Sequence, residues 1–204
     1  SEFTKLLTAR GITVRDSPDI GESSIDTPTI ATLESAPMRE IVAEMLTNSD
    51  NNTAELLVKE IGLVGRGAGT RVDGLTVIAS KIAEWGLPGA GVALLDASGL
   101  DRGNLLTCRL LTELLQRDGR EGLVTTGMAL AGKTGTLRDV FLTGPGSGTM
   151  RAKTGTLNGV KSLSGVMPLD EGRASYFSLV MNGSGVSTVN FYRPIWNNLA
   201  SALA

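Results

Sequence analysis

Two short runs hold the residue types from which chemistry can be built. In Arg151-Ala152-Lys153-Thr154-Gly155-Thr156-Leu157-Asn158-Gly159-Val160, a cationic Lys stands beside a hydroxyl and a glycine, and apolar residues follow. Lys153 can hold an anionic group, Thr154 can share a hydrogen bond with it, and Gly155 lets a substrate backbone come close. The second run, Ser49-Asp50-Asn51, groups a hydroxyl, a carboxylate and an amide far upstream. The sequence contains no His. Triads built on imidazole are excluded, along with most zinc and iron sites, and a base must be Lys, Asp, Glu or Tyr.

Each run also has a plainer reading. Ser, Asp and Asn all favour caps and turns, and Asp50 fits a helix cap best. Lys-Thr-Gly occurs twice, at Lys133-Thr134-Gly135 and Lys153-Thr154-Gly155, in a chain with 26 glycines. The second copy has the better context: a strand candidate precedes it, and Leu163 and Val166 follow in the next strand. The first copy lies between irregular segments. It also completes Gly127-Met128-Ala129-Leu130-Ala131-Gly132-Lys133-Thr134, a formal match to the Walker A pattern. That pattern works only where a strand enters the loop and a helix leaves it. Gly135, Gly144, Gly146 and Gly148 argue against such a helix. Val92–Asp96 resembles a Walker B strand but precedes the loop, the reverse of the usual order. A nucleotide-binding domain built on Gly127 to Thr134 is the alternative this motif leaves open.

The elements that must position these runs are legible from periodicity. Thr4 to Arg10 reads as a helix stopped by Gly11, Ile12-Thr13-Val14 as a short strand, Asp16 to Thr29 as a loop and Thr29 to Leu33 as another short strand. Ser35 is the expected N-cap of an amphipathic helix from Pro37 to Thr47, with Met38, Ile41, Val42, Met45 and Leu46 at helical spacing. Asn48 to Asn52 interrupts it, and Ala54, Leu57, Val58 and Ile61 form the face of the next helix. Gly62 to Gly69 reads as a glycine-rich loop, Val72 to Trp85 as a helix, Val92 to Asp96 as an extended segment and Leu105 to Leu115 as a helix. Leu123 to Thr149 reads as irregular. Strands are expected over Gly148 to Lys153, Val160 to Leu169 and Ser175 to Met181, with tight connections at Gly155 to Gly159 and Asp170 to Gly172. A terminal helix spans Val189 to Leu203. The expected fold is α/β of the α+β type, an antiparallel sheet flanked by helices.

Composition narrows the classes. The 204 residues suffice for one domain with a sizeable core, and 41% are hydrophobic. A net charge of −2 gives no electrostatic case for nucleic acid or an anionic membrane. No apolar run approaches a membrane span, which needs roughly 20 residues. The single Cys, Cys108, reads as a small core residue in a leucine-rich run. Ser1-Glu2-Phe3 reads as a cloning scar, and residues 4–204 as a single domain. No cofactor and no metal are expected.

Taken together, four segments resemble the C-terminal part of the type-4 (class C, low-molecular-mass) penicillin-binding proteins, the D-alanyl-D-alanine carboxypeptidase/endopeptidases of serine peptidase family S13. They are Met45 to Glu55, Leu95-Asp96-Ala97-Ser98-Gly99-Leu100, Gly135-Thr136-Leu137-Arg138 and Arg151 to Gly165, in family order over nearly the whole chain. The resemblance implies part of a penicillin-binding protein/serine β-lactamase-like transpeptidase fold. It implies that Ser49 relays protons to the leaving amine and that Asn51 hydrogen-bonds substrate and a nearby Lys. Lys153 supplies positive potential, Thr154 and Thr156 contact the terminal carboxylate, and the Thr156 N–H serves the oxyanion hole, beside Gly155. It makes Lys133 incidental. Implied partners are the peptidoglycan stem peptide ending in D-Ala-D-Ala, β-lactams and the N-terminal remainder of the polypeptide, with no nucleic acid. The implied location is extracytoplasmic, in the periplasm or cell wall. One family element is missing: no Lys has a Ser three residues before it, so S-x-x-K, which carries the nucleophile and its base, does not occur. The chain is therefore expected to be an inactive fragment, or else a non-catalytic peptidoglycan-binding domain of the same fold.

Overall fold

A computed structural model describes residues 2–15, 21, 28–29 and 31–204. The chain divides into two compact units, Ser1–Ser35 and Ala36–Ala204. In the first, helix α1 (Glu2–Ala9) ends at Gly11, whose φ of 77° suits glycine. Ile12-Thr13-Val14 and the described part of Thr29–Leu33 are irregular rather than strands, since no described neighbour pairs with them to form a ladder. Most of the loop expected over Asp16–Thr29 lies outside the described residues.

The second unit opens with α2 (Met38–Asn48), α3 (Asn51–Arg66) and α4 (Arg71–Glu84). Pro37, not Ser35, is the N-cap of α2, with ψ 144° placing it just outside the helix. The expected loop at Gly62–Gly69 is mostly helix, because α3 runs on to Arg66. Its glycines and Gly74 of α4 serve close packing. A Cβ on Gly74 would stand 1.8 Å from the Val58 carbonyl oxygen, and one on Gly62 would meet Gly74 N at 2.8 Å. Thr70 caps α4 through the Asp73 N–H.

An isolated bridge joins Ala93 to Leu105, so Leu105 is extended. Helix α5 (Cys108–Asp118) begins three residues later, capped by Thr107. Cys108, expected in the core, is exposed in the first turn of α5, while Leu110 and Leu115 take the buried face. The segment expected to be irregular holds short α6 (Leu123–Gly127), two-residue β1 (Ala129–Leu130) and a 3-10 turn at Gly135–Leu137.

The sheet has order β1-β2-β3-β4 and is antiparallel throughout, with β2 Arg151–Leu157, β3 Val160–Pro168 and β4 Ala174–Asn182. Residues facing each other across this register share a face. Ala152, Leu163 and Phe177 lie on the face covered by α7 (Val189–Leu203), where Tyr192, Trp196 and Ala200 complete the main core. Lys153, Ser164 and Ser178, in line across the three strands, lie on the opposite face, and α5 packs on β4 and β3. β2 runs through Lys-Thr-Gly to Leu157. The tight connection is only Asn158-Gly159, shorter than expected, because Leu157 still pairs with Val160.

Candidate active site

Ser49-Asp50-Asn51 is the junction of two helices, and each residue has a separate task there. Ser49 ends α2 in the left-handed conformation, φ 61° and ψ 50°. Asp50 then turns extended and caps α3, its carboxylate accepting from Asn52 N at 2.8 Å and Thr53 N at 3.1 Å. The Thr53 N–H foremost holds the Asp50 carboxyl below its usual range. Asn51 is the first residue of α3 and is exposed.

Lys153 reaches this junction from the sheet. Its Nζ donates to Ser49 Oγ at 2.7 Å and to the Thr154 carbonyl at 2.6 Å. Burial pushes its ammonium below the usual lysine range, and no carboxylate contributes. The contact is held from both sides by residues 126–135. Thr47 Oγ1, two residues before Ser49, donates to the Gly127 carbonyl at 2.7 Å. A Cβ on Gly135 would stand 1.9 Å from Thr47 O, so the loop lies tight against the end of α2. From the strand, Arg151 Nη1 donates to the carbonyls of Thr126 (2.9 Å) and Met128 (3.1 Å).

The rest of the strand motif lines up along β2. Thr154 is half-buried and pairs with Leu163. Gly155 lies close under the neighbouring strand: a Cβ there would meet Ser162 Oγ at 2.4 Å, so that hydroxyl would have to turn aside. Thr156 is exposed, and its Oγ1 accepts from Lys161 Nζ at 2.7 Å. The structure thus brings Ser49 and Lys153 into contact, with Asn51 two residues along from Ser49 and Thr154 to Thr156 along the strand.

Lys133 is exposed in a turn. The Walker A geometry is absent from its loop. The N–H groups of Lys133 and Thr134 both bond Leu130 O at 3.0 Å, and that of Gly132 bonds Val140 O at 2.8 Å, so these donors are turned inward. What leaves the loop is one 3-10 turn.

Sequence reasoning assigned no role to two features. Glu55 accepts from Ala97 N at 3.0 Å and Ser98 N at 2.9 Å, and pairs with Arg71 at 2.8 Å. Asp96 accepts from Asp101 N at 2.6 Å and Asn104 Nδ2 at 2.7 Å. Burial works to raise the Asp96 pKa, but these donors prevail and hold it low. The loop so built reaches the β2–β3 turn, where Arg102 Nη2 donates to Asn158 O at 2.7 Å. The polar run Asp96-Ala97-Ser98-Gly99 was the available signal. The second feature is Lys161, buried between strand and helix. Its only sequence signal is the i, i+4 pair Tyr192 and Trp196 on α7. Among the described residues, no cluster of acidic groups and Cys is placed to hold a metal ion, and no helix is long and apolar enough to cross a membrane.

This combination of helices on an antiparallel sheet, with a strand Lys touching an interhelix Ser, defines a transpeptidase-like fold of the penicillin-binding kind. Penicillin binding protein 4 from Haemophilus influenzae, solved with a novel β-lactam, superposes with a TM-score of 0.75 over 97% of this chain and 49% of that one, at 23% identity. A predatory endopeptidase from Bdellovibrio bacteriovorus, solved with an immunity protein, gives 0.67 over 99% and 55%, at 19% identity. At these identities the likeness is one of fold alone. The chain itself belongs to the D-Ala-D-Ala carboxypeptidase 3 (S13) family, whose pattern matches residues 1–195. It is 36% identical over 194 residues to a D-alanyl-D-alanine carboxypeptidase of Actinomadura sp. (strain R39), covering 89% of this chain. It is 32% identical over 168 residues to carboxypeptidase DacB of Mycolicibacterium smegmatis, covering 77%. The chain spans 36% of the length of each of these two curated relatives.

Proposed function

We propose that this chain is the C-terminal part of the catalytic domain of an extracytoplasmic serine D-Ala-D-Ala carboxypeptidase/endopeptidase that is also acylated by β-lactams. The observation that carries the reading is the 2.7 Å contact between Lys153 Nζ and Ser49 Oγ. An ammonium has only donors, so Ser49 Oγ accepts from it and keeps its own hydrogen to give away. A hydroxyl held in that sense suits the last step of a proton path to a leaving amine.

The nucleophile is the Ser of an S-x-x-K segment that these 204 residues do not contain. Its oxygen attacks the carbonyl carbon of the penultimate D-Ala, and the Lys of that segment takes its proton. The C–N bond then breaks, the amine receives a proton through Ser49, and water later releases the acyl group. Asn51 hydrogen-bonds the substrate and that Lys. Lys153 supplies positive potential, Thr154 and Thr156 receive the terminal carboxylate, and the Thr156 N–H is one oxyanion donor. Gly155 leaves room for the substrate backbone.

The test is covalent labelling by a fluorescent penicillin of the whole protein that carries this chain together with an S-x-x-K segment. A stoichiometric, hydroxylamine-sensitive adduct on the S-x-x-K serine is expected. A whole protein that takes no label and releases no D-Ala would reject the reading in favour of a non-catalytic domain.

A further inference from the structure

Lys161 is a buried cation, only 7% exposed, on the core side of the sheet. Its stem and ammonium lie against α7, with Nζ 4.2 Å from the Tyr192 ring centroid and 4.9 Å from that of Trp196. The two rings sit 4.6 Å apart and tilted by 54°, forming a polarisable cradle for the charge. Among the described residues no carboxylate pairs with it, and the charge that acts on it is the like-charged Arg193. A buried charge without a counter-ion is costly, so an arrangement that keeps one calls for an anion to meet it.

Among the described residues, the oxygen it bonds is Thr156 Oγ1, at 2.7 Å, directly across the β2–β3 ladder. Thr156 is exposed at that point of the strand. Because Lys161 has only donors, Thr156 Oγ1 must accept, and the hydroxyl hydrogen is left to point away from Lys161. Lys153, three residues back on β2, is a second cation without a carboxylate partner. Two positive groups therefore bracket the strand hydroxyls, one bonded to the interhelix Ser49 and one bonded to Thr156.

We propose that Lys161 is a positioning residue for carboxylate recognition: it fixes Thr156 as an outward hydrogen-bond donor and adds a second positive charge behind it, so that the site selects peptides ending in a free carboxylate. This rests on the function proposed above and deepens it. Lys161 acts on the ligand through Thr156, not on the reacting atoms.

The experiment measures steady-state D-Ala or D-Ala-amide release by the whole protein, from a D-Ala-D-Ala peptide and from its C-terminal amide. The wild type is expected to favour the free acid. Lys161→Met keeps the apolar stem over the rings and removes the charge and the donor. It is expected to raise KM for the acid about ten- to hundredfold, the scale of a charge-assisted hydrogen bond, and to leave the amide nearly unchanged. Thr156→Val should lose the same preference, and adding Lys161→Met to it should change nothing more, which a purely structural Lys161 would not produce. If Lys161→Met does not fold, Thr156→Val alone decides: a retained preference for the acid overturns the proposal. Equal loss on both peptides, or additive effects in the double variant, also overturns it. A wild type inactive on both peptides rejects the underlying function, and an active wild type whose preference survives Lys161→Met rejects this role alone.

Discussion

Lys153 and Ser49 stand 104 residues apart in the sequence and 2.7 Å apart at their side-chain tips. Nothing local brings them together. The contact exists because β2 and the α2–α3 junction are both tied to the segment between Gly127 and Gly135. In the whole protein, Lys153→Ala is expected to lower the rate of acylation by penicillin by about two or more orders of magnitude, the scale of losing a charged transition-state contact. Lys133→Ala is expected to leave it unchanged, since Lys133 is exposed in a turn. Stopped-flow or gel-based acylation rates check this, and equal effects from the two changes would refute the assignment of the second Lys-Thr-Gly copy.

The Ser49 backbone carries strain of its own. At φ 61° its Cβ crowds the following carbonyl, a conformation that favours glycine. Ser49→Gly relieves that cost, about 1 kcal/mol, but like Ser49→Ala it removes the relay hydroxyl and the acceptor for Lys153. Ser49→Ala keeps the strain, loses the acceptor, and should be less stable than the parent sequence. Urea denaturation of the two variants is expected to place Gly above Ala by about 1 kcal/mol. A glycine form no more stable than the alanine form would mean that the backbone at Ser49 is not strained.

Much of this arrangement was legible in the sequence, and the misses share a cause. The meander, the terminal helix and the interrupted helix pair follow from periodicity, which reports how side chains meet a core. What failed concerned neighbours remote in sequence. Gly62 and Gly65 looked like loop residues because their reason, the approach of α4, is not local. Ile12-Thr13-Val14 has strand composition but no described partner strand. Cys108 sits in a leucine-rich run, yet Leu105 and Leu106 are half-exposed and only Leu110 onward turns inward. The bond from Lys161 to Thr156 needed the register of β2 on β3, which fixes which residues face each other. The site motifs were readable as types, and that Ser49 and Lys153 meet in one site followed from the family order of the motifs, not from any local signal.

The glycine reading can be tested by ranking. Gly74→Ala puts a methyl group into the Val58 backbone carbonyl, which moves only if a helix moves. Gly65→Ala meets a Val77 methyl at 2.7 Å, which can rotate away. The first is expected to cost at least about 1–3 kcal/mol and the second less. Thermal unfolding of both variants should preserve this order, and a Gly74→Ala variant as stable as the parent sequence would mean that α3 and α4 are not packed at this distance.

The Asp50 cap carries a pH dependence of known sign. Its folded pKa lies below the ordinary aspartate value, because the Thr53 and Asn52 N–H groups favour the charged form. Its contribution is thus fully present above that ordinary value and is lost as pH falls through the lowered folded value. Asp50→Asn keeps a neutral cap that does not titrate. The stability difference between the two forms should shift against the parent sequence as pH falls from about 5 to 2, the range spanned by aspartate titration. A difference that stays flat over this range would show that the carboxylate form is not what caps α3.

The last prediction concerns these 204 residues by themselves. They are expected to form no covalent adduct with a β-lactam and to release no D-Ala from a D-Ala-D-Ala peptide. None of the six lysines, Lys5, Lys59, Lys81, Lys133, Lys153 and Lys161, has a Ser three residues before it, so no serine has a base built in one helical turn away. The pair that comes nearest to a nucleophile and base is Ser49 with Lys153, and burial does push the Lys153 pKa down. Yet Lys153 Nζ also bonds the Thr154 carbonyl at 2.6 Å, an acceptor that can only be met by a hydrogen on the nitrogen. In its ammonium form Lys153 donates to both oxygens and has no lone pair with which to take the Ser49 proton. Intact-protein mass spectrometry after prolonged penicillin treatment should therefore show the unmodified mass. A stoichiometric adduct mapped to Ser49 would show that the Ser49–Lys153 contact is itself a nucleophile and its base, and would overturn the relay role given to Ser49.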